Sequence, residues 1–230
     1  GVPNTTAGSL ESITDLATGA AYTFTYDVNN RLSVITGANG ETMEFGYDAS
    51  GRLVSVGTRE RDAAGVLSAL KSQVTYGYEA TTGRLSWVQT DLTPNDGTDN
   101  TWDVVAANND GKRFRTTYTY ESVSSLRISN VTTSDGVSIS YTYDGSGRVA
   151  TVTQGTGADA QALTFAYYAG YTDVSSGSRV WTYQYDASGQ LTAVLNPAVN
   201  GQRQVTNYTY DNAGHMFAVP LLALSMAAAV

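Results

Sequence analysis

The sequence predicts an all-β protein, an array of antiparallel β-hairpin repeats forming a curved or spiralling sheet. A short motif predicts it: aromatic-x-Tyr-Asp, two or three small polar residues, Gly-Arg, then Leu-x-x-Val, returning along nearly the whole chain. The first half of the motif alternates rings with small residues, which is the period-2 pattern of a pleated strand. Composition agrees. Tyr (16) and Gly (23) are abundant, while charged residues make up only 15%, below the usual quarter or so. Residues that fit half-buried pleats and tight turns therefore dominate over those that solvate helices.

The copies run in order from Phe24-Thr-Tyr26-Asp27-Val-Asn-Asn30-Arg31-Leu32 to Phe45-Gly-Tyr47-Asp48-Ala-Ser-Gly51-Arg52-Leu53. Tyr76-Gly-Tyr78-Glu79 with Gly83-Arg84-Leu85 follows, then Tyr141-Thr-Tyr143-Asp144 with Gly147-Arg148-Val149. Tyr183-Gln-Tyr185-Asp186 with Gly189-Gln190 and Tyr208-Thr-Tyr210-Asp211 with Gly214-His215 close the series. A weaker copy at Tyr118–Val131 has lost its Gly, and an eroded one lies around Phe165, Tyr167 and Tyr168. From Tyr26 to Tyr47, Tyr78, Tyr120, Tyr143, Tyr185 and Tyr210 the steps are 21, 31, 42, 23, 42 and 25 residues. The second long step holds the eroded copy and the first holds an insertion, Asp91 to Lys112. Repetition on this scale marks units that bury their apolar faces against neighbours.

Each unit reads as a hairpin. Tyr22, Phe24 and Tyr26 alternate on one face, and Asp48-Ala-Ser-Gly51 is a turn. There the carboxylate accepts a hydrogen bond from the backbone N–H two residues on, and Gly supplies the position at φ > 0. Asn30 takes that position in the first copy. Leu53 and Val56, three apart, point to opposite faces of a regular strand. A bulge beside the turn reconciles them, and so does a sheet covered on both sides; the residues do not choose.

The domain expectation is a repeat array over residues 1–219, with a loop insertion at about 91–112, and an apolar tail over 220–230. Hydrophobic residues at 41% predict a buried interior. Gly1-Val2-Pro3-Asn4 lacks the basic and apolar regions of a signal peptide, and both ends read as cut from something longer. Met216–Val230 holds fifteen residues without a charge, short of the ~20 of a membrane span. It reads as a buried segment in preference to a truncated span, and helix is expected only after Pro220.

Chemistry is sparse. A formal charge of −8 opposes binding to phosphate backbones, so no nucleic-acid partner is expected. The absence of cysteine excludes disulfides and thiolate-bound metals. Asp27, Asp48, Asp144, Asp186 and Asp211 invite a reading as catalytic carboxylates, but their fixed place beside a turn makes them turn caps. Arg31, Arg52, Arg84 and Arg148 read as partners of neighbouring carboxylates in preference to an anion-binding stripe. His215 stands in the Arg place of the last hairpin and is the sole histidine. Asn95–Asn100 is faintly like a calcium loop but lacks the closing Glu, and Asn108–Gly111 reads as a second turn. The tyrosines fit a stacked sheet face better than a sugar platform. No catalytic, cofactor-binding or metal residue is assigned.

The five Tyr-Asp and two Tyr-Glu copies closely resemble the YD repeats of the RHS family. The resemblance implies a strip of antiparallel hairpins that spirals into a hollow shell. In the bacterial Tc toxins and Rhs toxins such a shell encloses a toxic C-terminal domain, and in teneurins a similar shell serves adhesion. It identifies a structural repeat motif in Tyr26, Asp27, Arg31, Tyr47, Asp48, Gly51, Arg52, Tyr78, Gly83 and Arg84. The motif continues in Tyr143, Asp144, Gly147, Arg148, Tyr185, Asp186, Gly189, Tyr210, Asp211 and Gly214. The toxins' self-cleaving junction carries Asp-Pro, and none occurs here, the prolines being Pro3, Pro94, Pro197 and Pro220; self-cleavage is therefore not implied, and 230 residues look too few for a closed shell.

The functional expectation is a non-catalytic scaffold, a fragment of a shell that encloses or displays a toxin or other cargo, without cofactors, secreted or at the bacterial cell surface. Its expected partners are an encapsulated C-terminal cargo polypeptide and further copies meeting at open sheet edges. The alternative is an extracellular module that binds a glycan or receptor.

Overall fold

The computed structural model describes residues 8–94 and 113–218. The calcium-like stretch at 95–100, the turn at 108–111 and the apolar tail over 220–230 lie outside the described residues.

Two compact units divide the chain, the first made of residues 1–127 and 131–136, the second of 128–130 and 137–230. In the first unit β1 (Ser12–Thr14), β2 (Ala21–Tyr26), β3 (Leu32–Thr36) and β4 (Thr42–Tyr47) are followed by β5 (Leu53–Arg59) and β6 (Ser72–Tyr78). β7 (Leu85–Asp91) and β8 (Arg113–Tyr120) complete its consecutive antiparallel series. β9 (Ile128–Thr133) is divided between the units. In the second unit β10 (Ser138–Tyr143), β11 (Val149–Gln154), β12 (Gln161–Tyr168) and β13 (Tyr171–Ser176) lead to β14 (Arg179–Tyr185). β15 (Leu191–Leu195) and β16 (Val205–Asn207) end that antiparallel series. A last pair, β17 (Thr209–Tyr210) and β18 (Met216–Ala218), forms its own two-stranded sheet. Strand order within each unit is chain order. The hairpin array expected from the motif is therefore what the chain forms. One 3-10 turn, Gly157–Asp159, lies in the β11–β12 connection, earlier than the segment to which helix was assigned.

The turns explain the hairpins. In the second copy the Asp48 N–H bonds the Arg52 carbonyl at 2.9 Å and the Gly51 N–H bonds the Asp48 carbonyl at 3.0 Å. Gly51 sits at φ 82° and Asn30, its counterpart in the first copy, at φ 60°, a region that admits Gly freely and Asn more readily than other side chains.

The Leu-x-x-Val spacing is resolved by a bulge. Tyr47 faces Leu53 and Gly46 faces Ser55, so Val54 is the extra residue on the returning strand. The same shift occurs where Tyr26 faces Leu32, Tyr78 faces Leu85 and Tyr143 faces Val149, and again at Tyr185–Leu191 and Tyr210–Met216. One residue added after Leu restores the face of the strand, so Leu and Val serve the same side.

The buried interior expected from composition is not found among the described residues. Ala193 is the one buried hydrophobic side chain, and no large side chain is fully buried. In each unit packing runs between sheet neighbours. A strand in such a layer is covered by its cross-strand partners and not by a second layer, which leaves most of its apolar residues half-buried.

Candidate functional site

The repeat residues meet at the turn of each hairpin. Asp27 Oδ1 accepts the N–H groups of Asn29 and Arg31, both at 2.9 Å, while Oδ2 accepts Arg31 Nε at 2.7 Å. Asp48 does the same with Ser50 and Arg52, and Asp144 with Ser146 and Arg148. The turn N–H two residues on and the arginine side chain are the expected partners; a third bond, to the N–H four residues on, joins them because the carboxylate spans the whole turn to its far end. Glu79, one carbon longer, closes a turn one residue longer. It accepts the Thr82 hydroxyl and Arg84 Nε. Asp186 and Asp211 keep the backbone half of the pattern. Gln190 replaces the arginine in one, and in the other His215 Nδ1 lies 3.1 Å from Asp211 Oδ2.

Each arginine also reaches the next repeat, a link invisible in the motif alone. In the first unit the Arg31 guanidinium lies 4.5 Å from the centre of the Tyr47 ring, Arg52 4.6 Å from Tyr78 and Arg84 4.2 Å from Tyr120. The hydroxyls of those tyrosines return the link, donating to the carbonyls of Leu32, Leu53 and Leu85 at 2.9, 2.7 and 2.7 Å. In the second unit Arg148 lies 4.2 Å from the Tyr167 ring, whose hydroxyl donates to the Val149 carbonyl at 2.7 Å. Tyr143 and Tyr210 donate likewise to Ile128 and Leu191. Tyr185 contributes its backbone N–H to the Gly170 carbonyl. Asp anchors Arg, Arg covers the next Tyr, and that Tyr bonds the carbonyl beside Arg.

One member of the series escaped the motif. Tyr26 donates its hydroxyl to the Leu10 carbonyl at 2.9 Å, and β1 pairs Ile13 with Tyr22. Leu10-Glu-Ser-Ile13 therefore leads into a returning strand, β1, and its Leu-x-x-Ile spacing was the signal. Tyr167 fills the tyrosine place of the eroded copy, which turns through Ala169-Gly170 between the facing Tyr168 and Tyr171.

The electrostatics oppose acid–base work. Asp27 is held below the ordinary aspartate range first by the Arg31 side chain, and Asp48, Asp144 and Asp211 first by the turn N–H groups of Arg52, Arg148 and His215. Glu79 is lowered first by the Thr82 hydroxyl and then by Arg84. A general acid needs the opposite shift. Among the described residues no group of three or more His, Asp or Glu is placed to hold a metal.

These shifts set the pH response. A carboxylate with a depressed folded value stabilises fully above its unfolded value, ~3.9 for Asp and ~4.3 for Glu. That stabilisation is lost as pH falls through the lower folded value. Melting temperature should therefore hold from neutral pH to about pH 4 and then decline. The Asp48→Asn variant should start lower and decline less, and parallel acid profiles for the two proteins would contradict the assignment.

A sequence model of the RHS repeat matches residues 26–67 and 124–159. The two matched stretches cover the first two copies with part of the following connection, and the β9–β11 region. Among solved structures, the TcdB2-TccC3-TEV crystal structure matches with a TM-score of 0.58 at 15% identity, over 91% of this chain and 12% of that one. The likeness is one of fold, and the chain spans about an eighth of the length of that protein. TcdB2-TccC3 without its hypervariable C-terminal region matches at 16% identity and TM-score 0.35, over 86% and 13% of the two chains. The Photorhabdus luminescens Tc holotoxin pore matches at 14% and 0.35, over the same shares. No curated protein is matched.

Proposed function

We propose that the chain is a stretch of wall: a non-catalytic repeat scaffold, part of a YD/RHS shell that encloses or displays a toxin or other cargo polypeptide. The observation that carries this reading is the lock between consecutive hairpins, in which Arg52 binds Asp48 of its own turn and covers Tyr78 of the next. Such a lock makes each hairpin dependent on its neighbour, as a load-bearing sheet requires. The carboxylates of the motif are spent on it. The likeness in fold to the TcdB2-TccC3 structure supports the same reading. In it the array covers residues 1–219, the tail from 220 is a separate apolar segment, and the protein works outside the cytoplasm or at the bacterial surface. The twenty motif residues from Tyr26 to Gly214 then serve as wall joints, and the outer edge of β1 is a place for another strand to pair.

Electron microscopy of the full-length product of the reading frame that carries this chain, combined with limited proteolysis, tests the proposal. The expected result is a hollow particle whose wall contains these residues and whose interior polypeptide resists protease until the particle is denatured. A solid particle, or a cargo segment cleaved as fast in the native particle as after denaturation, would overturn it.

A further inference from the structure

The second unit carries a cavity of about 550 Å³ between the β13–β14 turn and the segment joining β15 to β16, within the ~300–1,000 Å³ of small-ligand sites. Its lining includes Arg179, Trp181, Asn196, Pro197, Gln202 and Gln204.

The joining segment is held firmly. It folds back as a small ribbon, with the Asn196 N–H on the Gln204 carbonyl at 2.9 Å and Val199 paired to Gln202. Asn200 at φ 51° and Gly201 at φ 76° form its tip, the Asn-Gly pair favoured in two-residue hairpin turns. Arg203 fastens the ribbon to the sheet, donating to the carbonyls of Val180, Leu195 and Asn196 and to the Thr182 hydroxyl at 2.7–3.1 Å. Alternation along extended chain sends Gln202 and Gln204 to the side opposite Arg203, and Arg179 and Trp181 to the side opposite Thr182. The cavity lies on that other side.

Arg179 is exceptional. The other arginines engage a carboxylate, a side-chain amide or backbone carbonyls, while Arg179 is exposed and its guanidinium is the one among the described residues without a partner. The side-chain amides of Asn196, Gln202 and Gln204 are likewise uncommitted.

We infer that this cavity binds an acidic saccharide unit. Arg179 takes the carboxylate in the two-pronged geometry of a guanidinium, and Trp181 offers its ring to the apolar face of the sugar. The three amides, each both donor and acceptor, match hydroxyls, which are also both. A peptide carboxylate would satisfy the arginine and leave the amides idle. The inference stands apart from the wall reading: a shell with no sugar site and a sugar site on another scaffold are both conceivable outcomes, read by different experiments.

Titration of the ¹⁵N-labelled chain with D-glucuronate, D-glucose and propionate tests it, followed at the indole N–H of Trp181 and assigned against Trp181→Phe. Glucuronate should shift that resonance saturably, with glucose and propionate at least ~10-fold weaker. Arg179→Gln should weaken glucuronate by about tenfold, the usual scale for a charge-assisted pair, without lowering the melting temperature. An oligouronate that binds more tightly than glucuronate points to a polysaccharide as the source, and equal binding points to the single sugar. Absence of a saturable shift, unchanged binding by Arg179→Gln, or propionate binding as well as glucuronate would overturn the inference.

Discussion

Replacing Asp91 by alanine should destabilise the protein by about 3 to 5 kcal/mol, a large part of the ~5–15 kcal/mol typical of a folded domain. Asp91 and Arg113 face each other across β7 and β8. They are 7% and 5% exposed, in a sheet where nearly everything else is half-buried. Asp91 Oδ2 receives Arg113 Nε at 3.2 Å and Nη2 at 3.1 Å, and Oδ1 accepts the Thr93 N–H at 2.9 Å. The pair joins the last residue of β7 to the first of β8. Removing the carboxylate takes from a buried guanidinium the counter-charge it faces across the strand pair, which costs far more than the pair contributes. The double variant Asp91→Leu, Arg113→Met should accordingly recover most of the loss. Urea unfolding followed by circular dichroism measures both. A single variant within 1 kcal/mol or so of the parent would show that the pair is effectively solvated.

That pair was hidden in the sequence, and the reason is general to this fold. Local chemistry was legible: Asp48-Ala-Ser-Gly51 names a turn because a short acceptor and a residue tolerant of φ > 0 occur at fixed offsets. What depends on register between repeats was not. The spacing from Arg31 to Tyr47 differs from that between Arg84 and Tyr120, so no single offset announces that each arginine covers the next tyrosine. Pairing brings them together regardless of the length of the intervening loop. The same holds for Asp91 and Arg113, which the insertion separates in sequence and the sheet reunites. Composition misled in the other direction. Apolar residues imply burial only when a second layer exists to cover them, and in each unit the described strands pack against their sheet neighbours. The Trp181 cavity had no sequence signal beyond Asn200-Gly201, because Arg179 and Gln202 converge through a ribbon whose anchoring depends on Arg203 finding three carbonyls.

A second strong effect is expected at Gly77, and its sign separates packing from propensity. Gly77 faces Trp87 across β6 and β7. A Cβ added there would lie 2.0 Å from the indole Cε2 and Nε1 atoms, so the ring lies directly against the glycine backbone. The same ring carries the Arg115 guanidinium 4.3 Å from its centre, and Arg115 in turn bonds the Gln89 side chain at 2.8 and 3.1 Å. Gly77→Ala must therefore displace the indole and the guanidinium together, at about 1 to 3 kcal/mol for overpacking. Gly46 holds the equivalent place in the preceding copy, but there the neighbour is Ser55, whose hydroxyl at 2.3 Å can rotate away. Neither glycine is at positive φ, so Gly46→Ala should be neutral or stabilise by about 0.4 to 1 kcal/mol, through a less flexible unfolded chain. Thermal melts should show Gly77→Ala lowered and Gly46→Ala unchanged or raised. Adding Trp87→Ser to Gly77→Ala sets alanine opposite serine, the same pairing as in the Gly46→Ala variant, and should relieve the steric part of the loss. If both glycine variants shifted melting alike, the indole would not be seated on Gly77.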